Sequence, residues 1–376
     1  MCNIAIRLLH KPHILFLPSW FPDEHGDLNG SFNLTWAKQM AVFTKVHVIV
    51  VHQEEITDQF EWREEELNAN LKLSRLILKS KIPKPKQWLL KLSKLQDYAE
   101  ELHRQEEFDL VHNSVAWNLG LIGRRVASNL KIPFFVTEHS TYFLSKRGFN
   151  YKKIWAVQLM RKAKGVFVVS EKLKQHFESR GVANCHLIPN FINAELLDFR
   201  TTKSKPYTFV HVTNWDITRK GTLDVLEAFI KLRIKLEAKL IVIADGVGIS
   251  DLAYSKDELT SHGIQWLPGF TDPLEYYQNM SQGHCLLNFS KTETFGISIV
   301  EALKMGLHII YTKSGGPEYF MKDTWGDALE VGNKTALLNS MIKACESEKV
   351  QESSQEIDSI FTAKSIYQKH ITIYNG

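Results

Sequence analysis

Two carboxylates, eight residues apart, frame the segment Lys291-Thr-Glu293-Thr-Phe-Gly296-Ile-Ser-Ile-Val-Glu301-Ala-Leu-Lys-Met-Gly306. Glu293 falls in a loop after the apolar run Cys285–Phe289, and Glu301 falls two turns into the helix expected next. The first amides of a helix lack partners within it and sit at the positive end of its dipole, so they attract anions. A loop carboxylate, the amides of Thr294, Phe295 and Gly296, and a second carboxylate on the helix suit a ligand carrying both hydroxyls and phosphate. Lys220, between Arg219 and Gly221 at another expected helix start, supplies a cation able to neutralise a departing diphosphate. No Asp-x-Asp motif is present to hold a metal, which makes such a cation matter more. His139 follows Glu138 at the end of a β-rich run, Phe134–Thr137, and Gly30 permits a close backbone approach to a phosphate or an acceptor. Each residue also has a plainer reading. Lys220 reads as part of a solvated loop, Glu301 as a helix-surface charge or ion pair, His139 as structural and Gly30 as a turn glycine.

These residues need a scaffold that brings loop ends together. The 376-residue chain is long enough for two domains, and its 44% hydrophobic and 23% charged content is that of a globular protein. Short apolar runs alternate with amphipathic helical patterns throughout. In the first half the runs are Ile14–Leu17, Val46–Val51, Leu110–His112, Phe134–Thr137, Gly165–Val169 and His186–Ile188. In the second half they are Phe209–Val212, Leu240–Ala244, Ile264–Trp266, Cys285–Phe289 and His308–Tyr311. This pattern predicts an α/β fold with two parallel sheets, each covered on both faces. The expected division is an N-terminal Rossmann-like lobe over 1–195, a C-terminal one over 196–355 and a closing helix over 356–376. The break is placed near Asn193–Pro206, where apolar periodicity lapses. Ligands of such sheets bind beyond the carboxyl ends of the strands, so two facing lobes place the site in a cleft between them.

Several motifs in order give this chain a family resemblance. Glu293-Thr-Phe-Gly-Ile-Ser-Ile-Val-Glu301-Ala is similar to the E-x-F-G-x-x-x-x-E-A pattern of the retaining glycosyltransferases of family 4. Gly315-Gly-Pro-Glu318 resembles their GG-x-x-E turn, Lys220-Gly221 their K-G element and Ile188-Pro-Asn190 their I-P-N element. Leu17-Pro-Ser-Trp-Phe-Pro22 with Gly30-Ser-Phe32 resembles their N-terminal glycine loop, and Glu138-His139 their E-H pair. Six such matches over about 300 residues carry weight that none carries singly. The resemblance implies the two-lobed GT-B architecture and a nucleotide-sugar donor in the C-terminal lobe. It also implies a glycan or lipid-linked acceptor on the N-terminal side, and retention of configuration. By the same resemblance Glu301 holds the ribose, Glu293 faces the transferred sugar, His139 lines the cleft, and Lys220 and the amides of residues 294–296 hold the phosphates. One departure stands out. Thr213-Asn214-Trp215 replaces the G-R-L of many members, which leaves Asn214 at the donor site and Arg219 to supply the missing charge.

The net charge of +4 is uneven: residues 1–195 hold 27 basic and 20 acidic residues, and residues 196–376 hold 19 and 22. Lys79–Lys94 interleaves six lysines with Trp88, Leu89, Leu90 and Leu92, and Lys152–Lys164 is similar in character. Both suit an anionic membrane surface, the alternative being solvated faces whose apolar residues pack inward. This predicts a cytoplasmic protein, peripheral at the inner membrane face, with reduced thiols at Cys2, Cys185, Cys285 and Cys345 and no signal peptide. No zinc spacing, no nucleic-acid motif and no third glycine after Gly246-Val-Gly248 is found, so no metal, no cofactor and no nucleic-acid partner is expected. The rival functions are another GT-B enzyme, such as a nucleotide-sugar epimerase or a phosphorylase, and a non-catalytic sugar-nucleotide-binding protein. Donor base, sugar, acceptor and linkage are not written in the sequence.

Overall fold

The computed structural model describes residues 11–23, 30–144, 150–193, 196, 199–201, 204–270, 272–350 and 355–376. Cys2 and parts of the Gly30 loop and of the 193–206 boundary lie outside the described residues. The chain divides into two compact units, Met1–Phe191 with Ala363–Gly376, and Ile192–Thr362.

The first unit carries β1 (Ile14–Pro18), β2 (Val46–Glu54), β3 (Phe60–Asn68), β4 (Leu71–Lys79), β5 (Leu110–Ser114), β6 (Phe134–Glu138), β7 (Gly165–Val168) and β8 (Cys185–Leu187). Helices α1 (Ser31–Ala41), α2 (Lys84–Glu106), α3 (Leu119–Leu130), α4 (Tyr151–Met160) and α5 (Glu171–Glu178) connect them. The sheet order is β3-β4-β2-β1-β5-β6-β7-β8, parallel except for the β3–β4 pair. β1, β5 and β6 are buried along their whole length, as central strands covered on both faces must be.

The second unit carries β9 (Tyr207–Asn214), β10 (Ala238–Asp245), β11 (Ile264–Pro268), β12 (Cys285–Asn288), β13 (His308–Thr312) and β14 (Gly326–Leu329). Its helices are α6 (Ile217–Lys220), α7 (Thr222–Arg233), α8 (Lys256–Ser261), α9 (Pro273–Ser281), α10 (Ile297–Met305), α11 (Lys334–Glu346) and α12 (Gln355–Phe361). All strands are parallel, in the order β11-β10-β9-β12-β13-β14. From β9 the chain steps outward to β10 and β11, then returns to β12 on the opposite side. The β9/β12 pair is therefore the topological switch point, and its carboxyl end is where open α/β sheets take ligands.

The tail departs from the expected single closing helix. It forms α12 and then α13 (Ala363–Asn375), and α13 belongs to the first unit. Ile366, Tyr367, Ile371 and Tyr374 of α13 join the core built on Ile14, Phe16, Trp36 and Val48. Trp36 Nε1 donates to His370 Nε2 at 3.2 Å, and Tyr374 hydrogen-bonds His112 in the same core. A buried polar pairing of this kind fixes the register of the returning helix.

Candidate active site

At the carboxyl ends of β9 and β12 the chain brings together residues more than seventy positions apart. β9 ends in a turn held twice over. The Asp216 amide donates to Asn214 Oδ1 at 3.2 Å, and the Arg219 amide donates to Asp216 Oδ1 at 3.1 Å. Asn214, expected at the donor, thus shapes the backbone of this turn with its side-chain oxygen. Gly221 adopts φ 68°, and a Cβ there would sit 2.3 Å from the Phe289 carbonyl oxygen, so only glycine lets the Lys220–Gly221 corner lie on the end of β12. Lys220 Nζ then donates to Glu293 Oε1 at 2.6 Å, and the Ser290 hydroxyl donates to the same oxygen at 3.0 Å. Arg219 Nη1 lies 3.8 Å from that oxygen, while its Nε pairs with Asp216 at 3.1 Å and its Nη1 donates to the Thr292 carbonyl at 3.3 Å. Both cations expected here are present, with Lys220 the nearer.

Glu293 is buried, with 6% of its surface exposed. Burial alone would push its carboxyl up. The Lys220 ammonium, then Arg219 and the Ser290 hydroxyl, outweigh burial and hold it below the usual carboxylate range. Glu301, on α10, has the opposite environment. Burial raises its carboxyl to about 7 against the hydrogen bonds of two phenols. Tyr276 Oη donates to Oε2 at 2.9 Å and Tyr277 Oη to Oε1 at 3.2 Å, both from α9. Neither tyrosine was singled out in the sequence. A Tyr-Tyr pair in an amphipathic helix gives no sign of its partner until α9 and α10 are seen packed together.

Between the two glutamates, Gly296 (φ 90°) starts α10. The amides of Thr294, Phe295, Gly296, Ile297 and Ser298 make no hydrogen bond to the described residues. The Phe295 ring is buried against Phe320 and Phe361, which leaves its backbone as the part able to meet a ligand. The Gly315–Glu318 turn backs this segment: a Cβ on Gly316 would lie 2.6 Å from Phe295 N and from Thr294 C. Glu318 Oε1 accepts from the Gly315 amide at 2.7 Å. A cation, a run of free amides at a helix start and two buried carboxylates of different character can hold a phosphate-bearing polyol.

In the first unit, His139 follows β6 and is half-buried. Its Nε2 lies 3.3 Å from Ser114 Oγ, the Phe32 ring meets it edge-on at 4.4 Å, and burial lowers its pKa. Glu138 beside it is fully buried, and burial raises its carboxyl to about 7. It accepts from the Ala116 amide at 3.0 Å and the Ser140 amide at 2.9 Å, clamping two loops at the carboxyl end of the sheet. Gly30 (φ 88°) does make a close approach, but to the chain itself. A Cβ there would lie 2.4–2.6 Å from the Trp20–Phe21 backbone, and Asn33 of α1 donates to the Trp20 carbonyl at 2.7 Å. The basic windows fall mainly on α2 and α4. Trp88 and Leu89 are 47% and 59% exposed, and Tyr151, Ile154 and Trp155 are 61%, 42% and 58% exposed. These apolar residues therefore do not pack inward. Among the described residues no helix is long and apolar enough to cross a membrane, and no cluster of His, Cys, Asp and Glu suits a metal.

Residues 44–196 match the family model described as Glycosyltransferase Family 4, and residues 193–358 match the one described as Glycosyl transferases group 1. The chain belongs to glycosyltransferase family 4. Among curated proteins it is 25% identical over 171 residues to an N-acetyl-alpha-D-glucosaminyl L-malate synthase of Bacillus anthracis, covering 44% of each chain. It is 25% identical over 238 residues to an alpha-monoglucosyldiacylglycerol synthase of Streptococcus pneumoniae, covering 56% of this chain and 53% of that one. The chain thus spans about half the length of the curated relatives it matches. Among solved structures, a sucrose-phosphate synthase from Thermosynechococcus elongatus superposes with a TM-score of 0.71 at 15% identity, over 96% of this chain and 98% of that one. HepE of Anabaena, solved in complex with UDP and glucose, gives 0.72 at 18% over the same shares. This likeness shows the fold of the family 4 chain, an α/β GT-B protein with two parallel-sheet units.

Proposed function

We propose that this family 4 glycosyltransferase moves a sugar, with retention of configuration, from a nucleotide-sugar donor to a polysaccharide or lipid-linked acceptor. The donor belongs to the Ile192–Thr362 unit and the acceptor to the other. The observation that carries the reading is the Lys220–Glu293 contact of 2.6 Å beside the unpartnered amides of residues 294–298. In this reading the diphosphate takes the amides and the Lys220 ammonium, whose charge opposes the negative charge that grows as the sugar departs. Glu293, released from Lys220 in part by the phosphate, accepts hydroxyls of the sugar. Glu301 accepts the ribose hydroxyls in place of Tyr276 and Tyr277, and His139 meets the sugar or acceptor. The reading needs no metal and no cofactor. Two relatives support a lipid acceptor by name: the Streptococcus protein, and a phosphatidylinositol N-acetylglucosaminyltransferase subunit of Schizosaccharomyces pombe that is 27% identical over 186 residues. The exposed Trp88, Leu89, Tyr151, Ile154 and Trp155 among lysines suit attachment to an anionic membrane surface, which would present that acceptor.

Thermal unfolding with UDP-, GDP- and ADP-sugars tests the donor site, since a ligand raises the transition in proportion to its binding. The expected result is a shift with one of them that Glu301→Ala abolishes. No shift with any of the three, and no effect of Glu301→Ala, overturns the reading. Release of an isomerised sugar nucleotide without acceptor, or a requirement for phosphate, would instead make the chain an epimerase or a phosphorylase.

A further inference from the structure

Three polar side chains lie buried directly beneath the Lys220 turn, and the function proposed above uses none of them. His211 (1% exposed) and Thr213 (2%) are on β9, and Thr222 (0%) is the first residue of α7. A buried polar group is costly without a partner, and apolar residues would fill this space at lower cost to the core. The three partner one another in one order. His211 Nδ1 lies 2.9 Å from the Leu287 carbonyl oxygen, which only accepts, so Nδ1 carries the proton. Nε2 is then the acceptor, and the Thr222 hydroxyl, 3.1 Å away, donates to it. With its proton committed, Thr222 Oγ1 accepts from the Thr213 hydroxyl at 2.7 Å. Burial disfavours a second proton on His211, holding its pKa down at about 4, so this direction persists at neutral pH.

Through His211 these bonds tie Thr222 to Leu287, and the two residues lie beside the two walls of the donor site. Leu287 is on β12, three residues before Ser290 and six before Glu293. Thr222 stands one residue after Gly221 and two after Lys220. The strand that joins them, β9, leads directly into the Asn214–Asp216 turn. We infer that His211 and Thr222 are positioning residues that lock the Lys220 turn to the strand leading to Glu293, and so set the cation's grip on the donor diphosphate. This rests on the donor-site reading and adds residues that touch no ligand.

The test compares nucleoside diphosphates with their nucleosides. Calorimetry on the full chain measures UDP, GDP and ADP, each against its own nucleoside, for the wild type and for Thr222→Val, Thr222→Ser and Lys220→Met. Valine keeps the shape of threonine and removes the hydroxyl, whereas serine keeps the hydroxyl. For the diphosphate that binds, Thr222→Val should lose roughly three- to tenfold in affinity, the worth of one neutral hydrogen bond. Its affinity for the nucleoside should change less than about twofold, and Thr222→Ser should match the wild type. A mere loss of stability would not move the diphosphate-to-nucleoside ratio. An unchanged ratio in Thr222→Val, or an equal fall in Thr222→Ser, overturns the inference while the donor site stands. If the wild type shows no preference for any diphosphate, the donor-site reading falls and this inference with it. Should Thr222→Val not fold, His211→Asn, which keeps a donor toward the Leu287 carbonyl and loses the acceptor for Thr222, breaks the same link, and the same ratio decides.

Discussion

The Lys220–Glu293 pair can be broken from one side without changing the size of the core, and the structure sets what that should cost. Lys220→Met keeps the aliphatic stem and removes the charge. It leaves a carboxylate whose side chain is 8% exposed, beside a partner position only 16% exposed. Removing one member of a buried ion pair costs about 3–5 kcal/mol, because the survivor stays dry and uncompensated. Here the loss is tempered. Arg219 remains 3.8 Å from the same oxygen and the Ser290 hydroxyl still donates to it. Since attraction falls as the inverse of distance, Arg219 supplies about two-thirds of what Lys220 gave, less what Asp216 takes from it. The expected cost is therefore about 2–3 kcal/mol, or roughly 4–12 °C in the unfolding of a unit of this size. Its pH dependence follows from the same residues. In the wild type Glu293 titrates below its ordinary value, so its contribution is present above the unfolded pKa and lost as pH falls through the lower folded one. In Lys220→Met burial acts with less opposition and raises that pKa. The penalty is then full near pH 7.5 and shrinks as pH falls toward the unfolded value. Urea unfolding at pH 7.5 and pH 5, with the Glu293→Gln and double variants, measures all of this. The double variant should recover most of the loss. A cost within about 0.5 kcal/mol of zero, a penalty flat in pH, or strict additivity would each refute a buried, coupled pair.

Three further outcomes follow from the same geometry. Glu301→Gln should stabilise the fold by about 1–3 kcal/mol at pH 8 and abolish nucleotide binding. A carboxyl held at about 7 costs stability as pH rises from its unfolded value to its folded one, and the amide removes that cost. A destabilised Glu301→Gln at pH 8 in chemical unfolding would contradict this. Gly316→Ala should lose about 1–3 kcal/mol and the nucleotide-induced thermal shift together, since its Cβ would meet the Thr294–Phe295 backbone at 2.6–2.7 Å. Retained binding in that variant would show that the amides tolerate displacement. Replacing Trp88, Leu89, Tyr151 and Trp155 by serine should abolish sedimentation with anionic vesicles and leave nucleotide binding intact, whereas unchanged sedimentation would return those residues to the status of ordinary surface.

Most of the parallel strands were legible because they are short continuous apolar runs, and two faces of cover leave little else possible; β14, Gly326–Leu329, with Asp327 in a four-residue strand, was not among the expected runs. The β3–β4 hairpin was not. Phe60–Asn68 carries Glu64, Glu65 and Glu66 on an exposed antiparallel edge, so its alternation is mostly polar on polar. Leu71–Lys79 interrupts its apolar residues with Lys72 and Arg75, and its pairing with β2 buries Leu73, Leu76 and Leu78. At the site, the residues named from sequence in the second unit, Lys220, Arg219, Glu293 and the start of α10, do converge. What the spacing could not supply was partnership. Lys220 meets Glu293 only because β9 and β12 are neighbours in the sheet, and Glu301 meets Tyr276 and Tyr277 only because α9 packs on α10. Gly30 and Asn214 carry backbone duties that their types and positions in the sequence did not reveal. A glycine or an amide at a loop can serve the backbone of that loop as readily as a ligand, and here both do.

The two glutamates that looked alike in sequence are driven apart by their surroundings, and that separates their work. Both are less than a tenth exposed, so burial pushes both toward the neutral acid. Glu293 has two cations within 4 Å and remains charged; Glu301 has two phenols and, among the described residues, no cation within 4 Å, and its proton is in balance near neutrality. A carboxylate ionised at neutral pH beside a cation is suited to exchange that cation for a phosphate and turn to the sugar. A carboxylate near its own pKa is suited to accept neutral hydroxyls, and its grip should strengthen as it ionises. Nucleotide affinity should therefore rise with pH through about 7 and flatten above it in the wild type. In Glu301→Gln any residual affinity should lack that rise. A flat profile in the wild type would mean that Glu301 does not meet the ligand, and the assignment of the pair would have to be redrawn around Glu293 alone.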